Sequence, residues 1–302
     1  MATRRLRRHK LMLIWRLTCI VAAAVLSGCS TVHFYSQAIE GQAEILHKAR
    51  PISMVMQDTR VAPRVKQKLT VVEEARRYAA SQLQLPADRE YYRYTDLGRP
   101  YVSWVLFAAP EFSVEAKTWW YPLLGNLKYR GYFSEKDARA EALRLKARGL
   151  EVYVGGVEAY STLGWFHDPV LNTFFHRSDA EIAELIFHEL THVKVFLPGD
   201  SDFNEAFATA NAEAGVRRWL LSRGDRAGLD RYETALAKDR EIVRLLLQTR
   251  EKLARLYAQK TLSAGEMRQR KAAIVDGLRT GYLEIRRRRH GDSLYDRAFA
   301  KP

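Results

Sequence analysis

Five consecutive residues carry the densest chemistry in this chain: His188-Glu189-Leu190-Thr191-His192. On an α-helix, residues four apart point the same way, about one turn apart. A helix here would therefore aim both imidazoles at one divalent metal ion. Glu189 is turned by roughly 100° from His188, which frees it to act on the water bound to that metal rather than to ligate it. Two nitrogen ligands and a general base in so short a run point to a zinc hydrolase centre. A third ligand is expected from Glu205, within Asn204-Glu205-Ala206-Phe207-Ala208. Two histidines, one glutamate and an open fourth position form a known catalytic zinc arrangement. Glu213, about two turns further on, is the rival third ligand. The plainer alternative is an amphipathic helix whose His-Glu-His face is only solvated.

The elements that would position these side chains have signals of their own. Ser178-Asp179-Ala180-Glu181 fits a capping box, with Ser178 at the N-cap and Glu181 at N3. Ile182, Leu185, Ile186 and Leu190 supply an apolar face at helical spacing. Pro198-Gly199 ends that helix, and a second begins near Ser201 or Asp202. If the chain folds back at Pro198-Gly199, His192 and Glu205 each sit about one turn, roughly 5–6 Å, from the bend. An antiparallel helix pair then brings Glu205 level with the histidines.

The HELTH and NEAFA segments resemble the gluzincin metallopeptidases, in which the third zinc ligand lies in an N-E-x-F-A segment. More narrowly, GGVEAYSTLGWFHDPVLNTFF followed by FHELTHVKVFLPGDSDFNEAFA is similar to a family of bacterial lipoproteins described as predicted aminopeptidases. The similarity runs from about Gly28 onward and is densest from Val154 to Ala208. It implies one Zn²⁺ held by His188, His192 and Glu205, with Glu189 as general base. It also implies a zincin-like sheet whose edge strand takes extended peptide. By the same resemblance, Glu158 could capture a substrate amine, although its surrounding motif does not match. Tyr160 could donate to a developing oxyanion. For both, loop structure is the plainer reading, as surface packing is for His167 and His176. The resemblance further implies a continuation past Lys301-Pro302, which would carry a transition-state donor or a pocket wall.

Residues 1–28 read as a lipoprotein signal peptide. Arg4, Arg5, Arg7, Arg8 and Lys10 form a basic start, and Leu17 to Leu26 an apolar core too short for a stable anchor. Leu26-Ser27-Gly28-Cys29 looks like a bacterial lipobox, with Cys29 as the lipidated new N-terminus. Ser30 after Cys29 resembles an outer-membrane address, facing the periplasm. The chain has two cysteines. Cys19 leaves with the signal and Cys29 carries lipid, so no disulfide is expected and stability must come from the core. The formal charge of +14 falls to about +8 once residues 1–28 are removed. Part of that excess is Arg286-Arg287-Arg288-Arg289, either a solvated helix end, where cations are favoured, or a contact with anionic phospholipid. Nucleic acid is not expected as a partner: the chain is exported and shows no recognition motif.

Around the central stretch the periodicity predicts helices over 33–50, ended by Pro51, and over 70–85, closed by Pro86. Two strands are expected between Tyr91 and Phe107, separated by Gly98 and Pro100. Glu111 to Phe133 reads as aromatic and irregular: either core and sheet packing or a substrate wall. Ser134 opens a helix that runs to Arg148 with Gly149 just beyond. Glu151 to Val157 is a strand, in which Gly155-Gly156 suggests a bulge or a close approach. It is expected to be the peptide-binding edge. Residues 225–259 and 263–289 form a long helical hairpin, with a capping box at Ser263 to Glu266.

The expectation is an α+β, mostly helical fold in a single domain over 29–302. Residues 33–133 give N-terminal helices and an aromatic-rich sheet, 134–222 the edge strand and metal helices, and 225–290 the hairpin. The expected activity is zinc-dependent peptide hydrolysis in the cell envelope, most simply by an aminopeptidase. The alternatives are an endopeptidase for misassembled envelope proteins and a metal-binding scaffold without turnover.

Overall fold

Proline and polar caps decide where most helices begin. The structure, a computed structural model, describes residues 32–88, 90–121, 125–159, 167–197, 199–288, 295 and 299. The signal peptide, Cys29, Tyr160, Pro198 and Arg289 lie outside these. The first helix, α1, covers 32–48. Arg50–Pro51 then forms a short strand, β1, so Pro51 joins a sheet instead of simply stopping a helix. After α2 (Ile52–Gln57), α3 runs Pro63–Gln82 with Pro63 in its first turn. It starts well before Thr70 because Pro63 pre-sets helical φ where the missing N–H is harmless. The polar opening of α3 has no apolar stripe to reveal it.

Strands β2 (Arg93–Thr95) and β3 (Ser103–Pro110) follow as expected, but they enter different sheets. The aromatic segment is less irregular than its sequence suggests. It holds β4 (Trp119–Tyr121), β5 (Gly125–Leu127) and β6 (Arg130–Tyr132). Ser134 caps α4 (Glu135–Ala147) by accepting from Asp137 N, and Gly149 beyond it takes φ +79°. Next come β7 (Leu150–Val157), β8 (Val170–Leu171) and one 3₁₀ turn. Helices α5 (Asp179–Lys194), α6 (Ser201–Ser222), α7 (Arg226–Tyr257) and α8 (Ala264–Arg288) follow.

Among the described residues the strands form three small sheets, in the orders β1-β2-β8, β6-β3-β7 and β4-β5. In the second sheet β3 pairs antiparallel with both neighbours, which leaves β7 at an edge. The ladder from Ser103↔Val157 to Pro110↔Leu150 is unbroken, so Gly155-Gly156 is not a bulge. Each glycine instead makes room for a ring. A Cβ on Gly155 would meet the Tyr153 ring at 2.8 Å, and one on Gly156 would meet the Tyr101 ring at 2.3 Å.

Helix α5 lies at the centre of the main core, between α3 and α6. Its Ile182, Ala183, Ile186, Phe187 and Leu190 are fully buried against Leu69, Val72, Ala75, Ala79, Ala212 and Val216. Burying each large side chain contributes roughly 1.5–3 kcal/mol, so α5 is firmly placed. A second core joins α4 to one face of the β6-β3-β7 sheet through Trp104, Leu106, Ala108, Ala138, Ala142 and Leu145. A third, around Ile242, Tyr282 and Ile285, holds α7 to α8. The far end of this hairpin meets the loop after β3 through Arg250–Glu115 (2.7 Å) and Arg268–Glu111 (2.5 Å), and β7 through Lys271–Glu151. At the other end of α8, Arg288 pairs with Glu241 of α7 at 3.4 Å. Among the described residues no helix is long and apolar enough to cross a membrane.

Candidate metal centre

Helix α5 is started by the expected capping box: Ser178 Oγ accepts from Glu181 N, and the Glu181 carboxylate accepts from Ser178 N at 2.8 Å. The helix ends at Lys194, and φ +87° at Gly199 helps turn the chain back. Asp200 caps α6 by accepting from Phe203 N at 3.0 Å. Asn204 is buried and fixes the turn, since it accepts from Leu197 N and donates to Leu197 O, both at 2.8 Å. That double hydrogen bond locks the first turn of α6 against the end of α5. Glu205, the next residue, is thereby set opposite the histidines.

His188 Nε2 and His192 Nε2 lie 3.0 Å apart. Glu205 Oε2 is 3.3 Å from His188 Nε2, and Glu205 Oε1 is 3.6 Å from His192 Nε2. Among the described residues these three form a group able to hold a metal ion. Ligand bonds of about 2.0–2.1 Å in a tetrahedral site put neighbouring donor atoms roughly 3.3 Å apart. The observed separations bracket that value, so the donor set fits zinc. It also fits a cation better than a hydrogen-bond network. One proton between the imidazoles satisfies one contact, whereas a cation satisfies all three side chains. Burial, and then the charge of His192, lowers the His188 pKa, with Glu205 opposing. His188 is thereby favoured as the neutral imidazole, whose lone pair can ligate. His192 is only 6 % exposed while Glu205 is 67 % exposed, so the centre opens to solvent on its glutamate side.

Glu189 is half-buried beside the cluster and is not part of it. Its charge reaches Tyr91, a buried phenol whose pKa is pushed up first by burial and then by Glu189. Tyr91 is held at φ +61°, a strained backbone for a bulky residue. Its N–H donates to Asp168 O at 3.0 Å, and Asp168 N donates to the buried Glu90 carboxylate at 2.8 Å. A second tyrosine feels the charge of a cluster residue. Burial, followed by the Glu205 charge, raises the pKa of Tyr129. The sequence showed both tyrosines only as members of aromatic stretches. A left-handed backbone at Tyr91 has no sequence signal, and nothing local ties Tyr129 to Glu205.

The other candidates are engaged elsewhere. Glu213 binds Arg217 at 3.2 Å and Arg240 at 2.7 Å, so it does not serve the cluster. Glu158 is held by Arg177 at 3.0 Å and faces His176 at 3.5 Å, as a loop anchor would be. His167 faces Glu90 at 3.8 Å.

Fold and site together define a class: a mostly helical α+β protein whose central helix pair carries a His-His-Glu set able to hold a metal. The family described as "Putative aminopeptidase" matches residues 33–302, and the chain belongs to that family. No curated protein and no solved structure matches it.

Proposed function

We propose that this chain is a zinc-dependent aminopeptidase of the bacterial cell envelope, anchored through lipid on Cys29 and facing the periplasm. The observation that carries the reading is the convergence of His188 Nε2, His192 Nε2 and the Glu205 carboxylate within 3.0–3.6 Å. Membership of the aminopeptidase family supports it at the level of peptide hydrolysis. The gluzincin resemblance of HELTH and NEAFA supports the choice of metal.

His188, His192 and Glu205 would hold the ion. When bound, zinc supplies Lewis acidity toward a peptide carbonyl and makes water a better nucleophile near neutral pH. Glu189, next to His188 on α5, accepts the proton of the attacking water on a carboxylate oxygen and returns it to the leaving amine. Among the described residues β7 is an edge strand, whose outer N–H and C=O groups can take extended peptide as a further strand. The solvent-open side of Glu205 is where substrate enters.

The test is Glu189→Gln in the full chain. It should retain zinc and lose roughly 10²- to 10⁴-fold in kcat, the usual contribution of a positioned general base. Undiminished turnover would reject the mechanism. Equal zinc content in wild type and His192→Ala would reject the metal site. Peptides with free and acetylated N-termini separate the modes of action: an aminopeptidase cleaves only the free ones, and cleavage of both marks an endopeptidase.

A further inference from the structure

Helix α1 (32–48) has two opposite faces, and only one of them meets the body of the protein. Phe34, Gln37, Gly41 and Ile45 recur at helical spacing and are buried. Phe34 joins the core of α4 and the β6-β3-β7 sheet, and Ile45 joins the main core. Gln37 Oε1 accepts from Phe133 N at 2.7 Å, Thr95 Oγ1 donates to Ile45 O at 3.0 Å, and Glu44 pairs with Arg99 at 2.8 Å. A Cβ on Gly41 would collide with the Phe133 ring, so glycine lets the helix lie close. Helix α1 is thus built into the body and is not a tether.

The opposite face is apolar and exposed. Val32, Tyr35 and Ile39 are 69 %, 39 % and 69 % exposed, and Ala43 is exposed too. At 100° per residue these four fall within an arc of about 80°, a stripe roughly 16 Å long. His33, Glu40, Glu44, His47 and Lys48 all fall on one flank, which leaves the stripe free of charge. Single apolar side chains on a surface are ordinary, but a row of them marks a contact.

What covers the stripe follows from where it begins. Val32 is three residues after Cys29, and three extended residues span at most about 11 Å. With lipid on Cys29, covalent geometry alone holds the first turn of α1 at the bilayer surface. We propose that Val32, Tyr35, Ile39 and Ala43 lie in the headgroup–acyl boundary of that bilayer, with α1 flat on the membrane. This rests on the lipid-anchor reading above and adds a second membrane contact to it. A helix in that position buries its apolar face about 5–10 Å deep, and a tyrosine there keeps its hydroxyl among the headgroups. The charge of about +8 left after residues 1–28 adds attraction to anionic lipid. Acyl chains alone attach a protein without orienting it. The stripe fixes the attitude of the whole domain, because α1 is rigidly part of it.

The experiment uses the acylated protein in vesicles of phosphatidylethanolamine with a minority of phosphatidylglycerol. The sequence holds only Cys19 and Cys29, so an introduced cysteine is the sole free thiol of the mature lipoprotein. Ile39→Cys and Glu40→Cys each take a nitroxide label. The label at 39 should be relaxed more by dissolved oxygen than by a water-soluble nickel chelate, and the label at 40, on the charged flank, the reverse. Equal access of the chelate to both labels overturns the stripe and leaves the lipid anchor standing. Mass spectrometry of the Cys29 peptide reports the anchor separately. If it shows no acyl chain, the anchor reading fails, and partition of residues 29–302 with Cys29→Ser onto the same vesicles decides the stripe. Ile39→Asp should weaken that partition about 10-fold or more, the scale of one large apolar side chain returning to water. Val32→Asp is the second variant should Ile39→Asp fail to fold. No partition, or partition indifferent to these changes, overturns the proposal. So does a dimer that Ile39→Asp converts to a monomer with partition unchanged, which would make the stripe a face between copies of this chain.

Discussion

Two glutamates on α6 keep opposite electrostatic company. Glu205 faces two imidazoles, and Glu213, two turns on, faces two guanidiniums. Arg217 also binds Glu233, which gives the Glu213 cluster a balance of charge of its own. With His188 favoured as neutral, the Glu205 cluster sets a carboxylate opposite two converging ring nitrogens. Residue type and helix are the same, and the partners decide the role. A carboxylate already met by arginine has little to offer a cation. One met by two imidazoles is completed by one.

The sharpest way to break this contrast is to remove each carboxylate in turn. Glu205→Gln should lower zinc affinity by at least about 100-fold, since loss even of an outer-shell partner costs 10- to 100-fold. Glu213→Gln should leave zinc affinity as it is and cost about 1 kcal/mol of stability, the scale of a partly exposed ion pair. Competition with a chromophoric chelator measures the first effect and urea denaturation the second. Equal zinc affinities in the two variants would erase the distinction.

A separate, pH-dependent effect reads out the surroundings of Glu184. Glu184, one turn before His188, has its pKa pushed up to about 7, first by burial and then by Glu213. In the unfolded chain its carboxyl titrates near the ordinary 4.5. Between those values the folded state holds the extra proton, so this group makes stability fall as pH rises from about 4.5 to about 7, and the loss persists above. Glu184→Gln keeps the side chain neutral. Its stability relative to wild type should therefore rise across that window, by about 3 kcal/mol. Urea curves at both ends of the window check this, and a flat or falling difference contradicts it. The smallest effect is at the start of α5. Ser178→Ala removes the hydrogen bond from Glu181 N and should cost about 1 kcal/mol, seen as a lowered Tm with the metal-free protein.

What was legible in the sequence was mostly local. The box at Ser178, the cap at Ser134, the repeat of that box at Ser263 and the spacing of His188 and His192 depend on residues within one turn. All four appear in the fold. Glu205 could be paired with the histidines because a short turn between two helices leaves few geometries. The start of α3 was missed because the apolar repeat begins at Leu69, although Pro63 marked the true first turn. The short strands between Trp119 and Tyr132 were hidden because their pairing is with distant β3 or across a turn too brief for an alternating pattern. The Gly155-Gly156 pair was read as a backbone feature, whereas it serves the rings of Tyr153 and Tyr101. The fit of the Tyr101 ring to Gly156, across more than fifty residues of chain, leaves no periodic trace.

The far end of the α7–α8 hairpin is fastened to the sheet mainly by charge. Arg250–Glu115 and Arg268–Glu111 are largely exposed, and the Tyr257 and Phe112 rings meet beside them, with Arg268 over Phe112 and Lys271 over Tyr257. Interactions of this kind weaken as electrolyte accumulates, while apolar burial does not. The joint is therefore the part of the molecule that should respond first to ionic strength, loosening in brine and tightening in dilute buffer while the helices around His188 stay put.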